Sequence, residues 1–189
     1  MRLTFITGNA HKLEEAKKVL GALGIEFEHD DGGYTEIQSA SLEEIALHGA
    51  REGCTRLNRA VFVEDAGLFV HALNGFPGPY SAYVFSTLGN AGILKLMDGI
   101  SERDAHFESC VAFSAPDHPP VAFRGRVDGV IAQQERGTHG FAFDSIFEVN
   151  GRTLAELSAD EKNKISHRAR ALRRLASFLK EWKDEKERA

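Results

Sequence analysis

Cysteine, tryptophan and methionine are scarce, with two Cys, one Trp and two Met in 189 residues. Two thiols, Cys54 and Cys110, cannot build a disulfide framework and lack metal-ligand spacing, so buried thiols in a reducing compartment are expected. Positive charge is not in excess: 23 Lys and Arg stand against 28 Asp and Glu, a formal charge of −5 with a pI near 5.9. This balance excludes a protein that works by coating nucleic acid. No apolar run approaches the roughly 20 residues of a membrane span, and the apolar stretch in MRLTFITGN is too short for a secretory signal. The expectation is a soluble cytoplasmic protein with neither nucleic acid nor membrane as partner. G-x-x-x-x-G-K-S/T and G-x-G-x-x-G are both absent, which excludes a Walker loop and a dinucleotide fingerprint. No internal repeat, low-complexity tract or linker divides the chain.

What remains is a chain with 42% apolar residues and thirteen Phe, able to fill the core of one domain spanning 1–189. Leu3 to Ile6 reads as a buried strand running into Thr7-Gly8-Asn9, with Asn9 placed to cap a helix. That helix carries Leu13, Ala16, Val19, Leu20 and Leu23 on one stripe and stops at Gly24. Ile25 to Glu28 is a plausible second strand, followed by a polar loop through Asp30 to Gly33. Ser41-Leu42-Glu43-Glu44 is a capping box for a helix to about Leu57. Val61-Phe62-Val63 reads as a strand ending in the acids Glu64 and Asp65, with a turn at Ala66-Gly67 and a second run Leu68-Phe69-Val70. The Gly75-Phe76-Pro77-Gly78-Pro79 corner follows. Ala91 to Met97 reads as a short helix. Alternation over Ala105–Ala115 and Val121–Ala132, parted by Pro116, Pro119 and Pro120, predicts an antiparallel pair. One last long helix is expected to carry Ile165, Ala169, Leu172, Leu175, Ala176, Leu179 and Trp182 on one face, with 183–189 as a frayed tail. The sum is a single α/β domain, a mixed sheet flanked by helices, drawn as two lobes with an active-site cleft between them.

Three groups could carry chemistry. Thr7-Gly8-Asn9-Ala10-His11-Lys12 lies between a strand and a helix, where backbone N–H groups bind anions. Lys12 opposes the helix macrodipole there, a conflict that a bound anion would resolve. Glu36, Glu64 and Asp65 form an acidic group of the kind that holds Mg²⁺ through one or two carboxylates plus substrate phosphates. Strand alternation sends Glu64 and Asp65 to opposite faces. Gly140-Phe141-Ala142-Phe143-Asp144, with Lys162, His167 and Arg168, would suit a nucleobase: an aromatic face to stack on and polar groups to read its edge.

These residues carry a resemblance. Thr7-Gly8-Asn9-x-x-Lys12, Glu64-Asp65-x-Gly67-Leu68, Gly75-x-Pro77-Gly78-x-Tyr80-Ser81, Gly140-Phe141-x-x-Asp144 and Glu161-Lys162-Asn163-x-x-Ser166-His167-Arg168-x-x-Ala171-Leu172 occur in this order. Together they resemble the inosine triphosphate pyrophosphatase (Ham1-like) family over nearly the whole chain. The resemblance implies Mg²⁺-dependent hydrolysis of ITP, dITP and XTP to the monophosphate and pyrophosphate, by a homodimer. It assigns Thr7 to Lys12 to the triphosphate, Glu36 and Asp65 to the metal, and Asp65 also to activating water. It assigns Ala66, Phe141, Ala142, Phe143, Asp144, Lys162, His167 and Arg168 to substrate, with His167 and Arg168 donating to a 6-oxo group. Ala66 stands where the family commonly has Ser or Thr. Ala142, Phe143 and Ser145 depart from its more usual Gly-Tyr/Trp-Asp-Pro around Asp144, so a shifted base preference is expected.

Overall fold

The structure is a computed structural model and describes residues 2–188, with the backbone alone for 185–188. The order of elements is β1 (Leu3–Ile6), α1 (Ala10–Gly21), β2 (Glu28–Asp30), α2 (Leu42–Leu57), β3 (Ala60–Val70), β4 (Pro77–Gly78), α3 (Ser81–Thr87) and α4 (Gly89–Leu96). Then come β5 (Asp104–Ala115), β6 (His118–Ile131), β7 (Phe147–Val149), β8 (Arg152–Thr153), α5 (Ala159–Ile165) and α6 (His167–Arg188). The strands form one mixed sheet in the order β2-β1-β3-β5-β6-β7-β8, with β4 paired antiparallel to β3. β2, β1 and β3 run parallel, while β6, β7 and β8 run antiparallel. This is the expected α/β domain. Among the described residues no helix is long and apolar enough to cross a membrane.

The chain packs as two compact units. The first comprises Met1–Asp65, Ser109–Gly125 and Arg168–Ala189, and the second Ala66–Glu108 and Arg126–His167. In the first, Leu3, Phe5, Ala60 and Phe62 point to one face of the sheet and pack against Ala16, Val19 and Leu20 of α1 and Leu172, Leu175 and Leu179 of α6. The Phe5 and Phe62 rings stack with centroids 4.4 Å apart. On the opposite face Ile6 and Val61 meet α2 at Gly53, where a Cβ would lie 2.2 Å from Ile6 Cδ1. The second unit has its own core, built from Leu68, Val70, Ile93, Met97, Phe107, Phe143, Ile146, Phe147 and Leu154 among others.

Several elements differ from their sequence reading. β2 begins at Glu28, because Ile25 gives its N–H to Leu20 O (3.0 Å) and closes the end of α1 rather than entering the sheet. No turn interrupts β3: Gly67 is strand, and its missing side chain makes room for β4, since a Cβ there would lie 2.2 Å from Gly78 O. Glu64 and Asp65 are therefore mid-strand rather than at a strand end. Only Pro116 and Asp117 join β5 to β6, a hairpin short enough to require antiparallel strands. Pro119 and Pro120 are the second and third residues of β6, next to the hairpin turn. α3 was not anticipated, and it starts directly from the Gly/Pro corner. The single last helix is two, broken at Ser166, whose backbone is extended (φ −63°, ψ 152°). Ile165 accordingly packs in the second core and Ala169 to Trp182 in the first. α6 continues through Arg188, and Ala189 lies outside the described residues.

Candidate active site

In the first unit the turn from β1 into α1 is tied to itself. Thr7 gives its N–H to Asp30 O (3.0 Å), and its Oγ1 accepts from Asn9 N (3.1 Å). Asn9 caps α1 by accepting from the N–H groups of His11 (2.9 Å) and Lys12 (3.1 Å). Two of the amides expected to face an anion are thus already answered by a side chain. Gly8, Ala10 and His11 are exposed, and a Cβ on Gly8 would meet nothing within 4 Å.

Lys12 has a partner inside the protein, so no bound anion is required to explain it. Its Nζ donates to the backbone O of Glu64 (2.9 Å) and lies 2.9 Å from Glu64 Oε2. The other carboxylate oxygen of Glu64 accepts from Ser109 Oγ (2.6 Å) and from Arg168 Nε (3.0 Å). Arg168 also pairs with Glu15 through Nη1. Glu64 is 3% exposed and Arg168 also 3%, so this is a buried network of two cations and two carboxylates. Burial alone would push the Glu64 carboxyl up. The charges of Arg168 and Lys12, with the Ser109 hydrogen bond, outweigh it and hold the group far below the usual carboxylate range. Lys12 and Arg168 each stand in the first turn of a helix, where the macrodipole disfavours a cation, and one carboxylate answers both.

Alternation along β3 separates the two acids. Glu64 shares the face of Ala60 and Phe62, under α1 and α6, and half-buried Asp65 shares the face of Val61. Glu36 is exposed in the segment between β2 and α2. Tyr34 connects them electrostatically: burial first, then the carboxylates of Asp65, Glu36 and Glu64, push its phenol far above its ordinary value. Its ring occupies space vacated by Gly49, where a Cβ would lie 2.5 Å away. Among the described residues no group of three His, Cys, Asp or Glu is arranged to hold an ion.

In the second unit Asp144 and Lys162 form a buried pair, Nζ to Oδ2 2.7 Å, both side chains 5% exposed. Asp144 Oδ2 also accepts from Phe141 N (2.8 Å), and Lys162 Nζ stands 4.9 Å from the centre of the Phe141 ring. Gly140 makes this possible: its φ is +76°, and a Cβ there would lie 2.3 Å from Asp144 Oδ2. Ala142 also adopts positive φ, +53°. The two aromatics expected to face a base part company. Phe141 is half-buried beside Lys162, whereas Phe143 is a core residue, 1% exposed and edge-on to Phe85 at 5.3 Å. His167 is buried and stacks on Phe107, with centroids 4.7 Å apart and rings 10° from parallel. Ala66, half-buried in β3, brings only a methyl.

His167 and Arg168 were expected to act as one donor group. His167 stacks on Phe107 in the second unit, and Arg168, the next residue, joins the carboxylate network of the first. In sequence Glu64 reads only as one of an acidic group and not as the partner of Lys12 and Arg168; Glu15, Ser109 and Tyr34 complete the first unit's constellation without having been singled out. For Glu64 the period-2 rule held the signal, because it puts this acid on the face of the cationic helix starts. Glu15, Ser109 and Tyr34 gave none.

A model of the Ham1 family matches residues 3–178. The chain belongs to the Ham1 family. Among its relatives, the dITP/XTP pyrophosphatase of Methanothermobacter marburgensis is 53% identical over 183 residues, covering 96% of this chain and 97% of that protein. The dITP/XTP pyrophosphatase of Thermococcus kodakarensis is 51% identical over 183 residues, covering 96% and 98%. Of solved structures, the Ham1 protein from Coxiella burnetii superposes with a TM-score of 0.85 at 31% identity, covering 96% of this chain and all of that one. The Staphylococcus aureus Ham1 protein gives 0.81 at 31% identity, covering 95% and 98%. Within the Ham1 family frame, the buried Lys12–Glu64–Arg168 and Asp144–Lys162 groups fall inside the matched span.

Proposed function

We propose that this Ham1 family chain hydrolyses ITP, dITP and XTP to the nucleoside monophosphate and pyrophosphate, clearing deaminated purines from the nucleotide pool. The observation that carries the reading is the near-full-length likeness to proteins named dITP/XTP pyrophosphatase. The chemistry of the two units supports it. Thr7 to Lys12 would take the triphosphate in the first unit. Phe141, Asp144, Lys162 and His167 would take the base in the second.

Asp65 is the general base. It accepts a proton from a water that attacks the α-phosphorus, the α–β phosphoanhydride bond breaks, and pyrophosphate leaves. Glu36 and Asp65 would hold Mg²⁺, which when bound supplies positive charge against the migrating phosphate charge. Lys12, fixed by Glu64, supplies a preorganised cation to the same end. Arg168, held by Glu64 and Glu15 through Nε and Nη1, would donate with His167 to the 6-oxo group of the base. A buried donor aimed at a 6-oxo group is left unanswered by adenine's amino group, a mismatch that such sites reject by up to about 10⁴-fold. A homodimer in the cytoplasm completes the proposal.

The test is a steady-state comparison of ITP, XTP, dITP, GTP and ATP, reading pyrophosphate with Mg²⁺ and with a chelator. ITP, dITP and XTP should exceed GTP and ATP, and the chelator should abolish turnover. Equal rates on ATP and ITP would overturn it.

A further inference from the structure

The turn Ala142–Ser145 carries Asp144, the partner of Lys162, yet begins on a strained residue: Ala142 has φ +53°, where an L side chain is disfavoured. Strain of this kind persists only where the surroundings over-determine it. Two braces do so within the second unit. From α3, Phe85 stands edge-on to Phe143. From α4, the Asn90 amide donates through Nδ2 to Glu135 Oε2 (2.9 Å), to Ser145 Oγ (2.9 Å) and to the carbonyl of Ala142 itself (3.4 Å). Ser145 Oγ in turn donates to the same Glu135 oxygen (2.9 Å). All three partners of Nδ2 offer acceptors, so the orientation of the amide is fixed. It leaves Asn90 Oδ1 buried and without a hydrogen-bond partner among the described residues. A buried orphan acceptor is costly and calls for a reason.

We infer that Asn90, with Glu135 and Ser145, is a positioning strut that holds Ala142 in its left-handed conformation and so presents Phe141 and Asp144 in binding-competent form. The orphan Oδ1 is the consequence of committing the amide's donors to that task. This inference rests on the proposed function for what the turn binds, but not for the strut itself.

Without the strut, the bias against a left-handed alanine, about 5- to 30-fold, falls on the competent population. The apparent dissociation constant rises by the same factor. In steady state, Asn90→Ala should raise KM for ITP by about 5- to 30-fold and leave kcat within about twofold. Glycine has no such bias, so on an Ala142→Gly background the Asn90→Ala penalty should shrink below about threefold. A merely structural Asn90 would give the same penalty on both backgrounds, and that result, or an unchanged KM, overturns the strut. Amide hydrogen exchange of residues 141–146 reads the strut without turnover. Faster exchange in Asn90→Ala supports it and unchanged exchange overturns it, even where the wild type leaves ITP intact and the proposed function fails.

Discussion

Replacing Glu64 by Gln is the most informative perturbation of the first unit. The side chain keeps its shape and an acceptor for Ser109, but Lys12 and Arg168 lose the carboxylate between them, while Glu15 stays on Arg168. Removing one member of a buried ion pair costs about 3–5 kcal/mol, because the remaining charge stays buried without compensation. For a chain of this length each kcal/mol corresponds to about 2–4 °C, so Tm should fall by about 6–20 °C. The pH dependence gives an independent check. Glu64 titrates below its ordinary 4.5 in the folded state, so its contribution is fully present above that value. It is lost as pH falls through the folded value. The Tm gap between wild type and Glu64→Gln should therefore be constant near neutrality and narrow only below about pH 4.5. Calorimetric unfolding of both proteins across that range makes the measurement. A neutral-pH shift under about 2 °C, or a gap that closes between pH 6 and 8, would refute the claim that Glu64 balances the two helix starts.

Asp65→Asn should lower kcat on ITP by about 10²–10⁴-fold with the fold intact, checked by pyrophosphate release and circular dichroism; turnover near wild type would remove Asp65 as the base. Gly140→Ala drives a methyl to within 2.3 Å of Asp144 Oδ2 and must displace that carboxylate from Lys162. The loss should be about 3–5 kcal/mol in denaturant unfolding, and a change below about 1 kcal/mol would mean that the turn yields easily. Ala142→Gly relieves about 1–2 kcal/mol of left-handed strain against about 0.4–1 kcal/mol of added unfolded-state entropy, so Tm should rise by a few degrees. A fall in Tm would show that the Ala142 methyl packs to advantage.

How much of this was legible depends on whether the signal is local. Asn9 as a cap, the Ser41 cap and the stripe of α1 are written within a few residues, and all appear in place. Gly67 reads locally as a turn residue, but its reason is distant: it yields space to Gly78 from another segment. The break at Ser166 is similarly invisible to helical periodicity, since Ile165 and Ala169 fit one stripe although they serve different cores. Phe141 and Phe143 look equivalent in sequence, and only packing against Phe85 makes one of them core.

The acidic pair shows the same limit at the site itself. Alternation correctly says that Glu64 and Asp65 diverge, but not which face carries which environment. A sequence reader favours the acid that could meet substrate and discounts its neighbour. Yet Lys12 and Arg168, both placed on the substrate side by resemblance, are held by Glu64. Two first-turn cations running against their helix dipoles would each be a defect alone, and one buried carboxylate shared between them removes both defects at once. A substitution at Glu64 should therefore disturb Lys12 and Arg168 together, so the Lys12→Met and Glu64→Gln effects should be strongly non-additive in a double-mutant cycle. Additive losses would mean that Glu64 does not hold Lys12, and the shared-carboxylate argument would fail.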